Sequence, residues 1–329
     1  MANIFHGKNI LVTGGNGTIG SEIARKLLPY EPHVVRLLSN DENGLFTMKQ
    51  ELKSYTNVRF LVGDIRDKDR VRKAVENIHF VFHAAALKHV ALCEYNPFEA
   101  VKTNVLGTQN VIDMAMEENV EKLISISTDK AVSPISVMGA TKLLAERLTI
   151  SAYHYVGPRA TILSCVRFGN VLDSRGSVVP IFREQIMAGG PVTITDPDMT
   201  RYVMSITKAA ELVLKVAEIS QGKEIYILKM PALRIGDLAE VMIEELAPHY
   251  GYNPAVIKIK VTGKIDCEKD HEELLTEDEA ASAFETEDMF IILPQDNYLK
   301  GRRELTKRHT AIDGKLLSKV EIKQMLSEN

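Results

Sequence analysis

Along the first half of the chain, short apolar runs that close on glycine or small residues alternate with longer stretches whose apolar side chains recur every third or fourth position. Residues 8–13 form such a run and predict a buried strand; residues 21–28 follow with Ile23, Leu27 and Leu28 on one helical face. The same pattern predicts strands at 33–38, 59–62, 79–83, 122–127 and 160–168, and helices at 100–116 and 141–155. Strands that alternate with helices call for a parallel sheet covered on both faces. Right-handed crossovers make that sheet doubly wound, an α/β fold.

After residue 170 the alternation breaks. A helix is expected within 176–191, a short strand at 192–195, helices at 207–219 and 234–250, and an alternating strand at 256–261. This predicts a first domain of residues 1–170 plus about 204–230, and a smaller mixed α/β domain of about 171–203 plus 231–300. Residues 301–329 are expected to be a charged C-terminal tail with a last helix. The 329 residues are 45% hydrophobic and 26% charged with a net charge of −4, which offers no basic field for nucleic acid. No apolar run reaches the length of a membrane span, and the first fifteen residues hold no long apolar core of a leader. Cys93, Cys165 and Cys267 are odd in number and far apart, so reduced thiols in a cytoplasmic protein are expected.

Gly14, Gly17 and Gly20 form a G-x-x-G-x-x-G at the junction of the first strand and first helix, with Asn16, Thr18 and Ile19 between them. Such glycines let a backbone turn tightly and approach a pyrophosphate at a helix N-terminus. That makes the first domain a dinucleotide-binding Rossmann domain, and the glycine spacing resembles that of short-chain dehydrogenases/reductases. By that resemblance Asp64 and Ile65 contact the adenine, Ala84, Ala85 and Ala86 let the cofactor lie close, and Asn104 supports the active site. The second strand ends in Ser39 and Asn40 without an acidic residue immediately at its end or an arginine, and Ser39 favours NADP over NAD.

Six motifs in order resemble the UDP-N-acetylglucosamine 4,6-dehydratases: residues 85–90 (AALKHV), 102–108 (KTNVLGT), 127–132 (STDKAV), 167–171 (RFGNV), 174–180 (SRGSVVP) and 195–202 (TDPDMTRY). The resemblance spans about residues 6–295 and implies a redox-neutral reaction on a UDP-sugar, with hydride moved from C4 to C6 and water lost across C5 and C6. It implies Asp129 as the acid and Lys130 as the base of the elimination. A lysine base needs a lowered pKa, expected here from partial desolvation and nearby Lys142.

In most of the superfamily a tyrosine stands four residues before that lysine; here Met138 does, and a thioether accepts no proton. Met138 is expected to pack against the pocket, which leaves Thr128, Asp129 or a water held by Lys142 to take the C4 hydroxyl proton. The motifs place Lys88, Asn170, Arg175 and Arg201 on the UDP-sugar, with Arg201 on phosphate. The family's arginine and glycine before Glu-Lys are replaced by Ile265 and Cys267, with Lys264 a substitute cation. Cys267, Glu268, Asp270, His271 and Glu272 match no metal-site spacing and are expected to be a solvated helix start; no metal is expected. The resemblance further implies a homo-oligomer. A UDP-sugar 4-epimerase, or a cofactor and nucleotide-sugar sensor without catalysis, are the alternative readings.

Overall fold

A computed structural model describes residues 3–155, 157, 160–264, 266–293 and 315–327. Its strands, in chain order, are β1 (Asn9–Thr13), β2 (Val34–Ser39), β3 (Val58–Val62), β4 (Phe80–His83), β5 (Lys122–Ile126), β6 (Ile162–Arg167) and β7 (Asn170–Val171). There follow β8 (Val192–Ile194), β9 (Thr200–Met204), β10 (Ile225–Leu228), β11 (Ala232–Arg234), β12 (Ile259–Val261), β13 (Phe284–Glu285) and β14 (Met289–Ile292). The main sheet runs β13-β14-β10-β6-β5-β4-β1-β2-β3. It is parallel from β3 through β10, and β14 and β13 close its far edge antiparallel.

Strand alternation explains why the apolar runs are nearly continuous. Ile10 and Val12 of β1 face one core, shared with Ile23 and Leu27 of the Thr18–Leu27 helix and Leu212 and Val213 of the Ile206–Ile219 helix. Leu11, between them, faces the opposite core with Val71, Ala74, Val111 and Ile112. Each fully buried Leu or Ile contributes about 1.5–3 kcal/mol, so both faces are firmly specified. Strand order reverses between β1 and β4, and the crevice beyond the strand ends at that point is where such sheets bind ligands.

A third core holds Leu172, Val179, Phe182, Val192, Leu238 and Met242, with Ile322 of the Lys319–Ser327 helix docked into it. The three-stranded β11-β9-β7 sheet and the β8-β12 pair belong to this part of the chain. Residues 301–314 of the expected tail lie outside the described residues.

Four boundaries differ from expectation for local reasons. The helix expected at 234–250 is Ile235–Leu246, because Pro248 cannot continue the ladder and opens a tight turn. The expected 256–261 strand shrinks to β12 behind another such turn at Pro254–Val256. The expected 100–116 helix is a short Pro97–Ala100 turn, a wide π-helical stretch at Val101–Gly107 and an α-helix at Thr108–Glu117. The helix expected from residue 141 starts at Val137, where the Ser136 hydroxyl caps the Gly139 N–H at 3.0 Å.

Candidate active site

The glycine loop leaves β1 and packs on the loop that leaves β4. Gly14 has φ +65°, and a Cβ there would stand 2.8 Å from Ala85 N and 2.9 Å from the Ala84 carbonyl carbon. Gly17 begins the Thr18–Leu27 helix with no side-chain cap, and its first turn carries no acidic residue, so its N–H groups are available to an anion. A cradle too tight for a Cβ and an uncapped helix start fit a dinucleotide pyrophosphate. Asn16 is buried and donates to Asp41 Oδ2 at 2.7 Å, while Ser39 Oγ accepts from the Asp41 N–H at 3.1 Å. Asn40 reaches Asp64 at 3.3 Å, and Arg66 binds the same carboxylate at 2.7 Å. Burial would raise the Asp64 pKa, but Arg66 and Asn40 together hold it below the usual range. Ile65 is buried against Gly107, whose missing side chain makes room for it.

Lys88 and Arg175, expected on the sugar, sit at this loop. The Arg175 guanidinium donates to the Asn16 carbonyl at 2.7 Å and stands 3.9 Å from Asp41 Oδ2; its N–H donates to Thr18 Oγ1 at 3.1 Å. Lys88 donates to the Arg175 carbonyl at 2.6 Å, and burial, with the Arg175 charge, lowers its pKa. An arginine from the loop after β7 thus stands beside the end of the β2 loop, although none occurs at the end of β2 itself.

A buried hydrogen-bond chain ties the two loops to the helices behind them. His83 at the end of β4 bonds Thr13 Oγ1 at 2.7 Å through Nδ1 and Thr108 Oγ1 at 2.9 Å through Nε2. Burial, with the Lys142 charge, pushes the His83 pKa down to about 3, so the ring is neutral. Thr108 donates to the Asn104 carbonyl at 2.7 Å. Asn104 is 1% exposed; it accepts from the Leu87 N–H at 2.8 Å and donates to the Leu87 carbonyl and Thr141 Oγ1 at 3.0 Å each. Asn104 is thus a buried strut of the loop after β4.

At the end of β5 the Thr128 hydroxyl donates to Asp129 Oδ1 at 2.9 Å. Lys130 Nζ donates to the same oxygen at 3.1 Å and to Asn170 Oδ1 at 3.3 Å, and forms an ion pair with Glu272 Oε1 at 3.2 Å. The Asp129 side chain is fully enclosed and that of Glu272 is 3% exposed, whereas that of Lys130 is 22% exposed. Asp129 therefore meets the cleft through Thr128 and Lys130. Buried Asp129 Oδ2 and Glu272 Oε2 have no hydrogen-bond partner among the described residues.

Two expectations are corrected here. Burial alone would lower the Lys130 pKa, but Asp129 and then Glu272 outweigh it and raise it. Lys142, expected to depress Lys130, donates instead to the Ile126 carbonyl at 2.6 Å, and it is Lys142 whose own pKa burial lowers. Residues 267–272, expected to start a solvated helix, form a loop laid along β9: Thr200 N–H donates to the Asp270 carbonyl at 3.0 Å, and Thr200 Oγ1 bonds His271 Nδ1 at 2.9 Å.

Arg201 is 5% exposed and holds that loop, with donors on Glu268 at 2.8 Å and on the Thr200 and Asp270 carbonyls at 2.8 and 3.2 Å. Lys264 pairs with Asp270 at 2.7 Å, Cys267 adopts a left-handed φ of +66°, and Ile265 lies outside the described residues. A glycine would take the Cys267 conformation freely. Met138 is 3% exposed, in the first turn of its helix, packed with Cys93 and Ala100. Glu272, expected to belong to a solvated helix start, is instead a buried member of the site, just before the buried Leu274 and Leu275.

The sheet, its switch-point crevice and the glycine loop define a Rossmann-like protein of the short-chain dehydrogenase/reductase type. The chain belongs to the polysaccharide biosynthesis protein family, whose model matches residues 10–294. A Methanocaldococcus jannaschii protein named as an uncharacterized membrane protein is 56% identical over 100% of this chain and 98% of its own. Among the described residues here, no helix is long and apolar enough to cross a membrane. An inverting UDP-N-acetylglucosamine 4,6-dehydratase of Campylobacter jejuni is 41% identical over 88% of this chain and 84% of its own. A UDP-glucose 4-epimerase of Rickettsia typhi is 36% identical over 98% and 96%. The X-ray structure of Pen from Bacillus thuringiensis superposes with a TM-score of 0.92 at 45% identity, covering 99% of this chain and 98% of that one. DesIV, a dTDP-glucose 4,6-dehydratase of Streptomyces venezuelae solved with NAD, shares the fold at a TM-score of 0.73 and 22% identity over 81% and 88%.

Proposed function

We propose that the protein dehydrates UDP-N-acetylglucosamine, or a related UDP-N-acetylhexosamine, to the UDP-4-keto-6-deoxy sugar, with a tightly bound nicotinamide dinucleotide, NADP ahead of NAD. The observation that carries this reading is the Lys130 ammonium, partly exposed and held by Asp129 and Asn170 at the end of β5. An acid–base pair there serves elimination; a simple alcohol oxidation has no use for it. The Campylobacter relative's name supports the same reaction.

When bound, the nicotinamide supplies a reversible hydride acceptor for C4 and donor for C6. Gly14, Asn16, Gly17, Thr18, Ile19 and Gly20 would hold its pyrophosphate on backbone N–H groups. Arg175 and Ser39 would be the residues to hold a 2′-phosphate, which is the ground for NADP. Asp64 and Ile65 would serve the adenine, and Ala84 to Ala86, Asn104 and Lys142 the nicotinamide end. The C4 hydroxyl proton passes through Thr128 to Asp129, whose 2.9 Å hydrogen bond supplies the path a tyrosine would otherwise provide. Asp129 returns that proton to the departing C6 oxygen, and Lys130 accepts the C5 proton. Lys88 and Asn170 line the sugar side, while Arg201 acts by fixing the loop of Glu268 and Glu272. Residues 1–170 with about 204–230 hold the dinucleotide, and about 171–203 with 231–300 hold the UDP-sugar.

A second reading, a UDP-sugar 4-epimerase, is favoured by the Rickettsia relative's near-complete coverage. Incubation with UDP-N-acetylglucosamine in heavy water, followed by NMR and mass, separates the two. Loss of water with deuterium at C5 supports the dehydratase. Inversion at C4 without water loss replaces it with the epimerase, and binding without turnover replaces both with a sensor.

A further inference from the structure

We infer that Glu272 is the proton partner of Lys130: it takes the ammonium proton, so that Lys130 meets the sugar as a neutral amine. The inference rests on the dehydratase reading and adds a residue to it. The chain brings Glu272 to Lys130 from a loop pinned on both sides. Before it, Asp270 and His271 are bonded to Thr200 on β9, and Glu268 to Arg201. After it, Leu274 and Leu275 are buried with Cys165 and Ile227, and the Leu274 carbonyl accepts from Arg167 at 3.0 Å. The carboxylate so placed is 3% exposed, 3.2 Å from Lys130 Nζ, and its second oxygen is buried without a partner among the described residues. Two enclosed carboxylates on one ammonium carry a net negative charge that a merely structural ion pair would not need, since burying each charge is costly.

The charged groups that face Lys130 are Asp129 beside it, Glu272 from the 268–272 loop and Arg201 from β9, itself paired with Glu268; Asn170 adds an uncharged acceptor. Together the carboxylates raise the Lys130 pKa. An ordinary lysine, of pKa about 10.4, is neutral in only about one molecule in a thousand at pH 7.4; a raised one is neutral in fewer. A sugar seated over the pair excludes water and favours the neutral pair, amine and carboxylic acid, over the two ions. The steps then balance. The ammonium proton moves to Glu272 Oε1. The amine takes the C5 proton of the 4-keto sugar, the C5–H electron pair forms the C5–C6 double bond, and the C6–O bond breaks. The oxygen leaves as water on the proton held by Asp129. When C5 is reprotonated Lys130 gives its proton back, and Glu272 returns the other.

The test compares wild type, Glu272→Gln and Glu272→Asp, each loaded with dinucleotide, by C5 deuterium incorporation from pH 6 to 9.5. Glu272→Gln is expected to lose about 100-fold or more at pH 7, with dinucleotide binding retained. Its residual rate should climb about tenfold per pH unit, because the amine must now be made by bulk solvent. Wild type should be flat over the same range, and Glu272→Asp should recover the flat profile at a reduced rate. A Glu272→Gln profile of wild-type shape, at any height, overturns the inference while leaving the dehydratase reading intact. ¹⁵N NMR titration of Lys130 without sugar supplies the independent arm. A Lys130 pKa that falls in Glu272→Gln supports the pairing, and one that does not move overturns it even where wild type turns over no sugar.

Discussion

Arg167→Met should cost the protein about 3–5 kcal/mol, the range for stranding one charge of a buried ion pair. Arg167 is 1% exposed at the end of β6, between Glu146, also 1% exposed, and Glu279. It donates to the two Glu146 oxygens at 3.0 and 2.8 Å, to the two Glu279 oxygens at 2.8 and 3.1 Å, and to the Leu274 carbonyl. Methionine fills much of the volume, so the loss is dominated by the Glu146 carboxylate left in an apolar interior. Glu279, which is more exposed, can turn to water. Urea denaturation followed by circular dichroism reads the cost. Adding Glu146→Gln to Arg167→Met should return a large part of it, since the uncharged amide is far cheaper to bury. A single variant that loses less than about 1 kcal/mol, or a double variant no more stable than the single, would refute the stranded-charge account. Arg167 also holds the loop that carries Glu272, so hydrogen exchange at residues 268–275 should quicken in the single variant and stay fast in the double.

His83 has a folded pKa near 3 against about 6.5 for a free histidine, so the unfolded chain binds a proton that the folded one refuses. Its contribution to stability is present above pH 6.5 and is lost as pH falls toward 3, by about 1.4 kcal/mol per unit. His83→Gln, compared with wild type in urea titrations at pH 4 to 7, should show a shallower dependence by that amount; identical slopes would show that His83 is not buried neutral. Arg175→Ala should weaken NADP binding about tenfold or more, the worth of a charge-assisted hydrogen bond, and leave NAD within about twofold by fluorescence titration. Equal losses for both dinucleotides would remove Arg175 from 2′-phosphate recognition.

Local periodicity made the sheet legible. β1, β4, β5 and β6 are apolar on both faces, so their runs stand out, and the glycine loop is readable because its spacing is local. The wide turn at Val101–Gly107 was hidden because it depends on where Asn104 finds its partners, Leu87 and Thr141, both distant in sequence. The setting of Glu272 was hidden for the same reason: its partner Lys130 lies far along the chain, and its immediate neighbours, exposed and polar, suggest solvent. The Lys130 environment fails most instructively. Local reasoning paired it with Lys142, a like charge that would lower its pKa; the fold supplies Glu272, an opposite charge that raises it.

Met138 shows how a missing proton acceptor is tolerated. With its helix beginning at Val137, the methionine falls in the first turn and packs on Cys93 and Ala100, one helical turn before Lys142. A phenol at that place would need room and a hydrogen-bond partner among apolar neighbours. In the proposed reaction the chemistry it would have done falls one loop away to Thr128, hydrogen-bonded to a carboxylate whose second oxygen has no partner among the described residues. There a hydroxyl relaying to the enclosed Asp129 would take the C4 proton in the direction in which the next step spends it, toward the departing C6 oxygen. Lys130, paired with both Asp129 and Glu272, would itself take the C5 proton while Glu272 holds the proton it gives up, so the two transfers would not compete for one base.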